Sequence, residues 1–64
     1  MTIFEFMEKH NTLFYDTKLF MQLAKHHKVP LDKIIDLADQ ILDRDVFIFE
    51  KDLIDEISKE LKKT

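Results

Sequence analysis

Three histidines are the side chains of this chain best suited to metal binding or proton transfer: His10, His26 and His27. Successive residues of a helix point about 100° apart, so the adjacent His26 and His27 cannot readily hold one ion between them. No pair of histidines has the i, i+4 spacing typical of helical zinc sites. A histidine near the end of a helix commonly interacts with the helix dipole. The sequence therefore predicts no metal site.

The acidic residues near the middle of the chain begin a pattern similar to that of a calcium-binding loop. Asp43 and Asp45 have the Asp-x-Asp spacing with which such a loop starts. The glycine that the loop needs at its sharp turn is absent, and Phe47 and Ile48 follow where ligating residues are expected. We therefore expect these acids to cap a helix and to face solvent.

Catalytic chemistry has little support in the composition, because the chain contains no Cys and no Gly. A thiol nucleophile, a thiolate zinc site and a disulfide are excluded, and no Gly-bearing turn flanks a hydroxyl group to form an oxyanion hole. With 64 residues, residues 1–64 make one small helical domain, too small for a cofactor-binding fold or a cleft between domains. We expect no catalytic residue, no cofactor and no enzyme activity.

The apolar side chains carry the strongest functional signal. The composition is 45% hydrophobic and includes six Phe, whereas a chain of this size buries only about 60% of the surface that its unfolded form exposes. Large apolar side chains should therefore remain at the surface, where a second protein would cover them. Some of these side chains are expected to be the hardest to place in one core, and others to extend the apolar arc of the second helix. Together they form the predicted protein interface: Phe4, Phe14, Tyr15, Leu19, Phe47 and Ile48.

The chain resembles a soluble protein of a reducing compartment. Its first residues include acids and lack the basic segment of a secretory signal. No apolar run approaches the roughly 20 residues needed to cross a bilayer, and the absence of Cys fits the cytoplasm. We expect a cytoplasmic protein without a membrane segment.

Capping signals divide the chain into helices. Thr2 and Glu5 have the spacing of a capping box, which predicts a first helix over about residues 3–9 and a turn near His10 and Asn11. A second helix is predicted from Thr12 to His27, with an apolar arc wide enough to pack on two sides.

The second half of the chain has the clearest amphipathic pattern. Pro30 suits the first turn of a third helix, whose apolar residues recur with helical spacing through Leu42. Asp45 is the predicted N-cap of a fourth helix in which Val46, Phe49, Leu53, Ile57 and Leu61 share one face. A short strand over residues 46–49, followed by a helix starting near Glu50, is the alternative, because this run has high β propensity.

Together these elements predict an all-α fold, a compact bundle of three or four short helices with a central helical hairpin. The hairpin has the apolar spacing of a DNA-binding helix-turn-helix at Ala24, Val29, Ile34 and Leu37, with Lys28 where Gly is usual. The second helix of such a motif needs Arg, Lys, Asn or Gln at base edges, whereas this one presents mainly acids. We therefore do not expect nucleic acid as the partner.

The stretch from Asp16 to Leu37 is also similar to the helical hairpin of the SinI-type antirepressors, which pair with a matching hairpin of a repressor. The similarity rests on Asp16, Met21, Ala24-Lys25, Val29 and Ile34, while Thr17 stands where an aromatic residue is expected in that family. The resemblance implies that a hairpin of this pattern can bind another protein.

Charge is distributed unevenly along the chain. Residues 32–56 contain nine acidic and three basic side chains, a net charge of −6, although the whole chain carries only −3. An acidic segment repels phosphate and suits a partner with a basic surface.

We predict a non-enzymatic protein-protein interaction module, a small regulator or inhibitor that forms a homodimer or binds another protein by helix packing. The alternative is a small helix-turn-helix DNA-binding regulator.

Overall fold

A computed structural model describes residues 1–45 and 48–63 and contains four helices, which confirms the predicted all-α bundle. The helices are α1 (Ile3–His10), α2 (Thr17–His27), α3 (Leu31–Arg44) and α4 (Glu50–Lys62). Within these residues there is no strand. Val46, Phe47 and Thr64 lie outside the described residues.

The first helix begins at the predicted capping box. The Thr2 Oγ1 accepts the Glu5 backbone N–H, and a Glu5 carboxylate oxygen accepts the Thr2 backbone N–H, each at 3.1 Å. The helix ends at Asn11, whose backbone is left-handed (φ 55°). Two bonds, from the Asn11 N–H to the Glu8 carbonyl and from the Thr12 N–H to the Met7 carbonyl, close the last turn as a Schellman motif.

The second helix starts five residues later than predicted. The side chain of Asp16 accepts the Lys18 backbone N–H at 2.9 Å and is the N-cap. Residues 11–16 form a linker instead of a first helical turn, because the Asn11 turn redirects the chain and Asp16 satisfies a free N–H at the new start. Leu13, which a helix beginning at Thr12 would place in line with the buried Phe20 and Ala24, is consequently exposed.

The turn between α2 and α3 repeats the Schellman geometry at Lys28. Lys28 is left-handed (φ 56°), and the Val29 N–H donates to the Ala24 carbonyl. Pro30 then precedes α3 in an extended conformation and is its N-cap, one position before the first helical turn in which it was predicted. Five residues of the predicted apolar arc of α3 are buried: Ile34, Ile35, Ala38, Ile41 and Leu42.

The prediction for the start of the fourth helix is wrong. Asp45 does not cap α4 but ends α3, with its N–H donating to the Ile41 carbonyl. Helix α4 begins at Glu50, as in the alternative interpretation, and the strand proposed there falls partly on Val46 and Phe47, outside the described residues. Leu53 and Ile57 are buried as predicted, whereas Phe49 is exposed because it precedes the helix.

Helix α3 is central and packs against each of the other three helices. Helices α2 and α4 run in the same direction, since Asp16 near the start of α2 contacts Glu50 at the start of α4, and His27 at the end of α2 lies 3.3 Å from Ser58 of α4. The largest fully buried side chains come from all four helices: Phe6, Phe20, Ile34, Ile35, Leu53 and Ile57.

We expect Lys28→Gly to stabilise the protein. A left-handed backbone disfavours any residue with a Cβ atom. Glycine removes this cost but also has more conformational freedom in the unfolded chain, so the net increase in the free energy of unfolding should be about 0.5–1 kcal/mol. The matched control is Lys25→Gly inside α2, which should lower it by about 1 kcal/mol. Urea denaturation followed by circular dichroism would measure both, and a destabilised Lys28→Gly protein would contradict the assigned turn.

Candidate protein-interaction surface

The candidate surface lies where the chain before α2 meets the chain before α4. Residues 11–16 form the linker before α2, and the described residues Asp45, Ile48 and Phe49 between α3 and α4 are called the linker before α4. The Tyr15 hydroxyl donates to the Ile48 carbonyl at 3.0 Å, and the Asp16 backbone N–H donates to a Glu50 carboxylate oxygen at 2.5 Å. These two bonds hold the linkers together at one end of the bundle.

Tyr15 fixes the direction of its neighbour. Its ring is only 6% exposed and stacks on Phe20, with ring centroids 6.3 Å apart. A turn closed by the bond from the Tyr15 N–H to the Thr12 carbonyl places the preceding residue outside the core. Phe14 therefore meets Tyr15 edge to face, at a centroid distance of 4.9 Å, and turns the rest of its ring to solvent.

Two phenylalanines dominate this end of the molecule. Phe14 is 80% exposed and Phe49 is 76% exposed, and both line one pocket of about 340 Å³. We call Phe14, Ile48 and Phe49 the linker patch. The pocket is completed by His10, Asn11, Thr12, Tyr15 and Glu50. Exposed aromatic rings beside a concave surface are typical of sites that bind other molecules.

A buried hydroxyl group belongs to the same pocket. Thr12 is 4% exposed, and among the described residues its Oγ1 has no hydrogen-bond partner. Burying a hydroxyl without a partner costs about 1–3 kcal/mol. The wall of the pocket therefore contains a hydroxyl group to which no other described residue forms a hydrogen bond.

The predicted interface residues are not all brought together. Phe14 and Ile48 belong to the linker patch, whereas Phe4 is 71% exposed on α1 and does not line this pocket. Leu19 is partly buried in a separate groove between α2 and α4. Phe47 lies outside the described residues.

The expectation that Tyr15 is hard to place in one core is wrong. The linker before α2 folds inward at this residue, and the ring joins the core of its own chain. Tyr15 contributes to the linker patch through two contacts. Its hydroxyl bonds to the Ile48 carbonyl, and its ring meets the Phe14 ring edge to face.

The sequence does not indicate Phe49 as an interface residue, because helical periodicity assigns it to the buried face of α4. The signal that could have identified it is the pair of acids, Glu50 and Asp52, in the first turn of the helix. Acids favour the N-terminus of a helix, and a start at Glu50 places Phe49 before it.

A polar cluster links α1 to α3 and adjoins the pocket of the linker patch through His10. One carboxylate oxygen of Asp39 lies 2.9 Å from the Lys9 ammonium and 2.6 Å from His10 Nε2, and Asp43 lies 4.0 Å from the same ammonium. His10, Asp39 and Asp43 are close enough to share an ion, but Lys9 already supplies positive charge to both carboxylates. The geometry is that of an ion-pair network between helices.

The other two histidines differ in their surroundings. His26 is exposed, whereas His27 is partly buried, with its Nε2 3.3 Å from Ser58 Oγ. Their rings meet edge to face with centroids 5.0 Å apart. His27 therefore contacts α4.

The outer face of α3 remains acidic in the structure. Asp32, Asp36 and Asp43 are exposed, and Asp39 and Asp43 pair with Lys9 of α1. In a helix-turn-helix this face of the second helix would approach DNA, and carboxylates repel phosphate. The charge on α3 thus disfavours nucleic-acid binding.

Comparison of the chain with known protein families, with curated proteins and with solved structures found no match. None of the helices in residues 1–45 and 48–63 has the length and apolar character that crossing a membrane requires.

Tyr15 makes stability sensitive to high pH. Burial, with a smaller contribution from the nearby Glu50 carboxylate, raises the pKa of Tyr15 above its usual value near 10. The folded state thus favours the neutral phenol. The resulting contribution of Tyr15 to the free energy of unfolding is fully present below the usual pKa near 10 and is lost as the pH rises through the raised pKa. Tyr15 is the only tyrosine, so phenolate absorbance during alkaline titration reports this group directly.

The matched variant is Tyr15→Phe, which should lose about 1 kcal/mol of stability at neutral pH together with the bond to Ile48. The stability difference between the two proteins should shrink above pH 10. A phenolate titration at or below the ordinary pKa in the folded protein would contradict the burial of this ring.

Asp39 makes the opposite contribution at low pH. Hydrogen bonds from Lys9 and then His10 hold the pKa of Asp39 below its usual value of 3.8. A depressed carboxyl pKa contributes stability above the unfolded pKa, and this is lost as the pH falls through the folded value. The Asp39→Asn protein should therefore lose less stability on acidification below pH 4 than the Asp36→Asn protein. Asp36 is the matched control, because it is an exposed acid on the same helix. Equal acid dependence of the two variants would contradict the network.

Proposed function

We propose that this protein is a non-enzymatic protein-protein interaction module, a small regulator or inhibitor that binds through the linker patch. The observation that carries the proposal is the exposure of Phe14 and Phe49 on opposite linkers around one pocket. Phenylalanine side chains are the kind of bulky apolar group that anchors interfaces.

The free energy available from covering these rings is large enough for binding. An aromatic side chain presents roughly 200 Å², so the exposed parts of Phe14 and Phe49 amount to roughly 300 Å². At about 25 cal/mol for each Å², covering them is worth about 7 kcal/mol before the costs of association. The patch is therefore able to supply a substantial part of the affinity of a specific complex.

The patch is also held in place before any partner arrives. The Tyr15 hydroxyl bond to Ile48 and the Glu50 bond to the Asp16 N–H fix the two linkers relative to each other. A preformed surface loses less conformational entropy on binding than a disordered one. This arrangement supports recognition by a largely rigid surface.

The side chains of the pocket favour binding over catalysis. The His10 imidazole contacts Asp39, Tyr15 donates its hydroxyl to a backbone carbonyl, and Glu50 accepts a backbone N–H. Thr12 is buried. Among the described residues of the pocket, no hydroxyl is paired with a base in the manner of an activated nucleophile.

Photo-crosslinking in cells that produce the protein tests the proposal. Benzoylphenylalanine would replace Phe14 or Phe49 in the full chain, and Phe4 would receive the same group as the matched control, since it is a similarly exposed Phe outside the pocket. We expect covalent adducts with protein, including self-adducts, at positions 14 and 49 in clear excess over position 4.

Two results would overturn the assignment. Adducts that form only at position 4 would move the interface to α1, and an absence of protein adducts at all three positions would remove the proposed role. A gel shift with duplex DNA that weakens steeply with added salt would instead favour the helix-turn-helix alternative.

A further inference from the structure

Resting on the proposed function, we propose that the linker patch binds a second copy of this chain. In the resulting symmetric dimer, the Phe14 ring of each copy enters the pocket of the other and packs against the Ile48 and Phe49 side chains there. The partner is therefore the same surface, related by a two-fold axis.

The shape of the surface fits such a dimer. A two-fold interface uses the same patch on both copies, so the patch must contain a protrusion and the recess that receives it. Phe14 protrudes with 80% of its surface exposed, directly beside the pocket of about 340 Å³. An apolar cavity of about 150 Å³ accepts benzene, so this pocket has room for a phenyl ring.

The acids beside the pocket accept hydrogen bonds from backbone groups of their own chain. Glu50, the acid that lines the pocket, accepts the Asp16 backbone N–H, and the Asp16 carboxylate accepts the Lys18 N–H. Both carboxylates are thus engaged in capping and linking the helices. The linker patch presents mainly aromatic and aliphatic surface, which is complementary to itself.

The two phenylalanines supply about half of the area that a specific dimer needs. The exposed parts of Phe14 and Phe49 contribute roughly 300 Å² for each copy, hence roughly 600 Å² for two copies, when an aromatic side chain presents roughly 200 Å². This is about half of the 1,200 Å² at which specific interfaces begin. Ile48 and the walls of the pocket would add to this area when two copies meet, as would Leu13, which is exposed beside Phe14.

Net charge gives the dimer a distinctive salt response. Each copy carries −3, so two copies repel each other at long range, and added salt screens this repulsion. Dimerisation should therefore tighten as the salt concentration rises. Binding to a basic partner would weaken under the same change.

Analytical ultracentrifugation of the purified full chain, from low micromolar to millimolar concentration and at two salt concentrations, tests the proposal. We expect a monomer–dimer equilibrium that salt shifts toward dimer. Phe14→Ser and Phe49→Ser should each weaken it by roughly tenfold or more, whereas the matched variant Phe4→Ser should leave it nearly unchanged. Circular dichroism melting confirms that each variant is folded, which is expected because all three side chains are exposed.

A filtered NMR experiment on a mixture of labelled and unlabelled copies tests the contact itself. Intermolecular signals between Phe14 ring protons and Ile48 methyl protons are expected, and a dimer that lacks them would overturn the proposed arrangement. A chain that stays monomeric at millimolar concentration, or a dimer that dissociates only with Phe4→Ser, would overturn it as well. A monomeric chain that still crosslinks to other proteins at position 49 would refute the dimer alone and support the interaction function.

Discussion

Tyr15 joins the core to both linkers, and the shape of the end of the bundle that carries the linker patch depends on it. Its ring packs against Phe20 in the interior, while its hydroxyl bonds to the backbone of Ile48 across 33 residues of sequence. Because Tyr15 turns inward, Phe14 beside it turns outward. The interaction that closes this end of the core therefore also creates the exposed aromatic surface.

The bundle is organised around α3, which contacts all three other helices. Helices α1 and α2 end without glycine, and Asn11 and Lys28 adopt the left-handed conformation instead. Such turns cost more with a Cβ atom than with glycine, yet they satisfy the last carbonyl groups through Schellman bonds. Packing against a well-buried α3 compensates for this local cost.

Charge and apolar surface occupy different parts of the molecule. The acids of α3 face solvent or pair with α1 through Lys9, whereas the acids nearest the linker patch accept backbone N–H groups. A partner would consequently meet apolar rings at the linker patch and negative charge along α3. Charged surfaces mainly influence encounter and selectivity, while buried apolar anchors supply most of the affinity.

Local signals in the sequence determined the parts of the structure that depend on neighbouring residues. The capping box at Thr2, the entry at Pro30 and the apolar periodicity of α3 predicted where α1 and α3 begin and which face of α3 is buried, because caps and helical spacing act within a few residues. The sequence also predicted three or four helices, of which the described residues contain four, and a surplus of apolar side chains.

Only the tertiary structure decided the starts of α2 and α4 and the direction of the aromatic side chains between the helices. Tyr15 is buried and Phe49 exposed because the two linkers bond to each other through partners more than 30 residues apart. Helical spacing predicts a buried or exposed face only for residues that belong to the helix. It therefore gives the wrong face for residues that long-range contacts hold outside the helix. For that reason the sequence indicated that apolar surface would remain exposed, but the meeting of the linkers determined where.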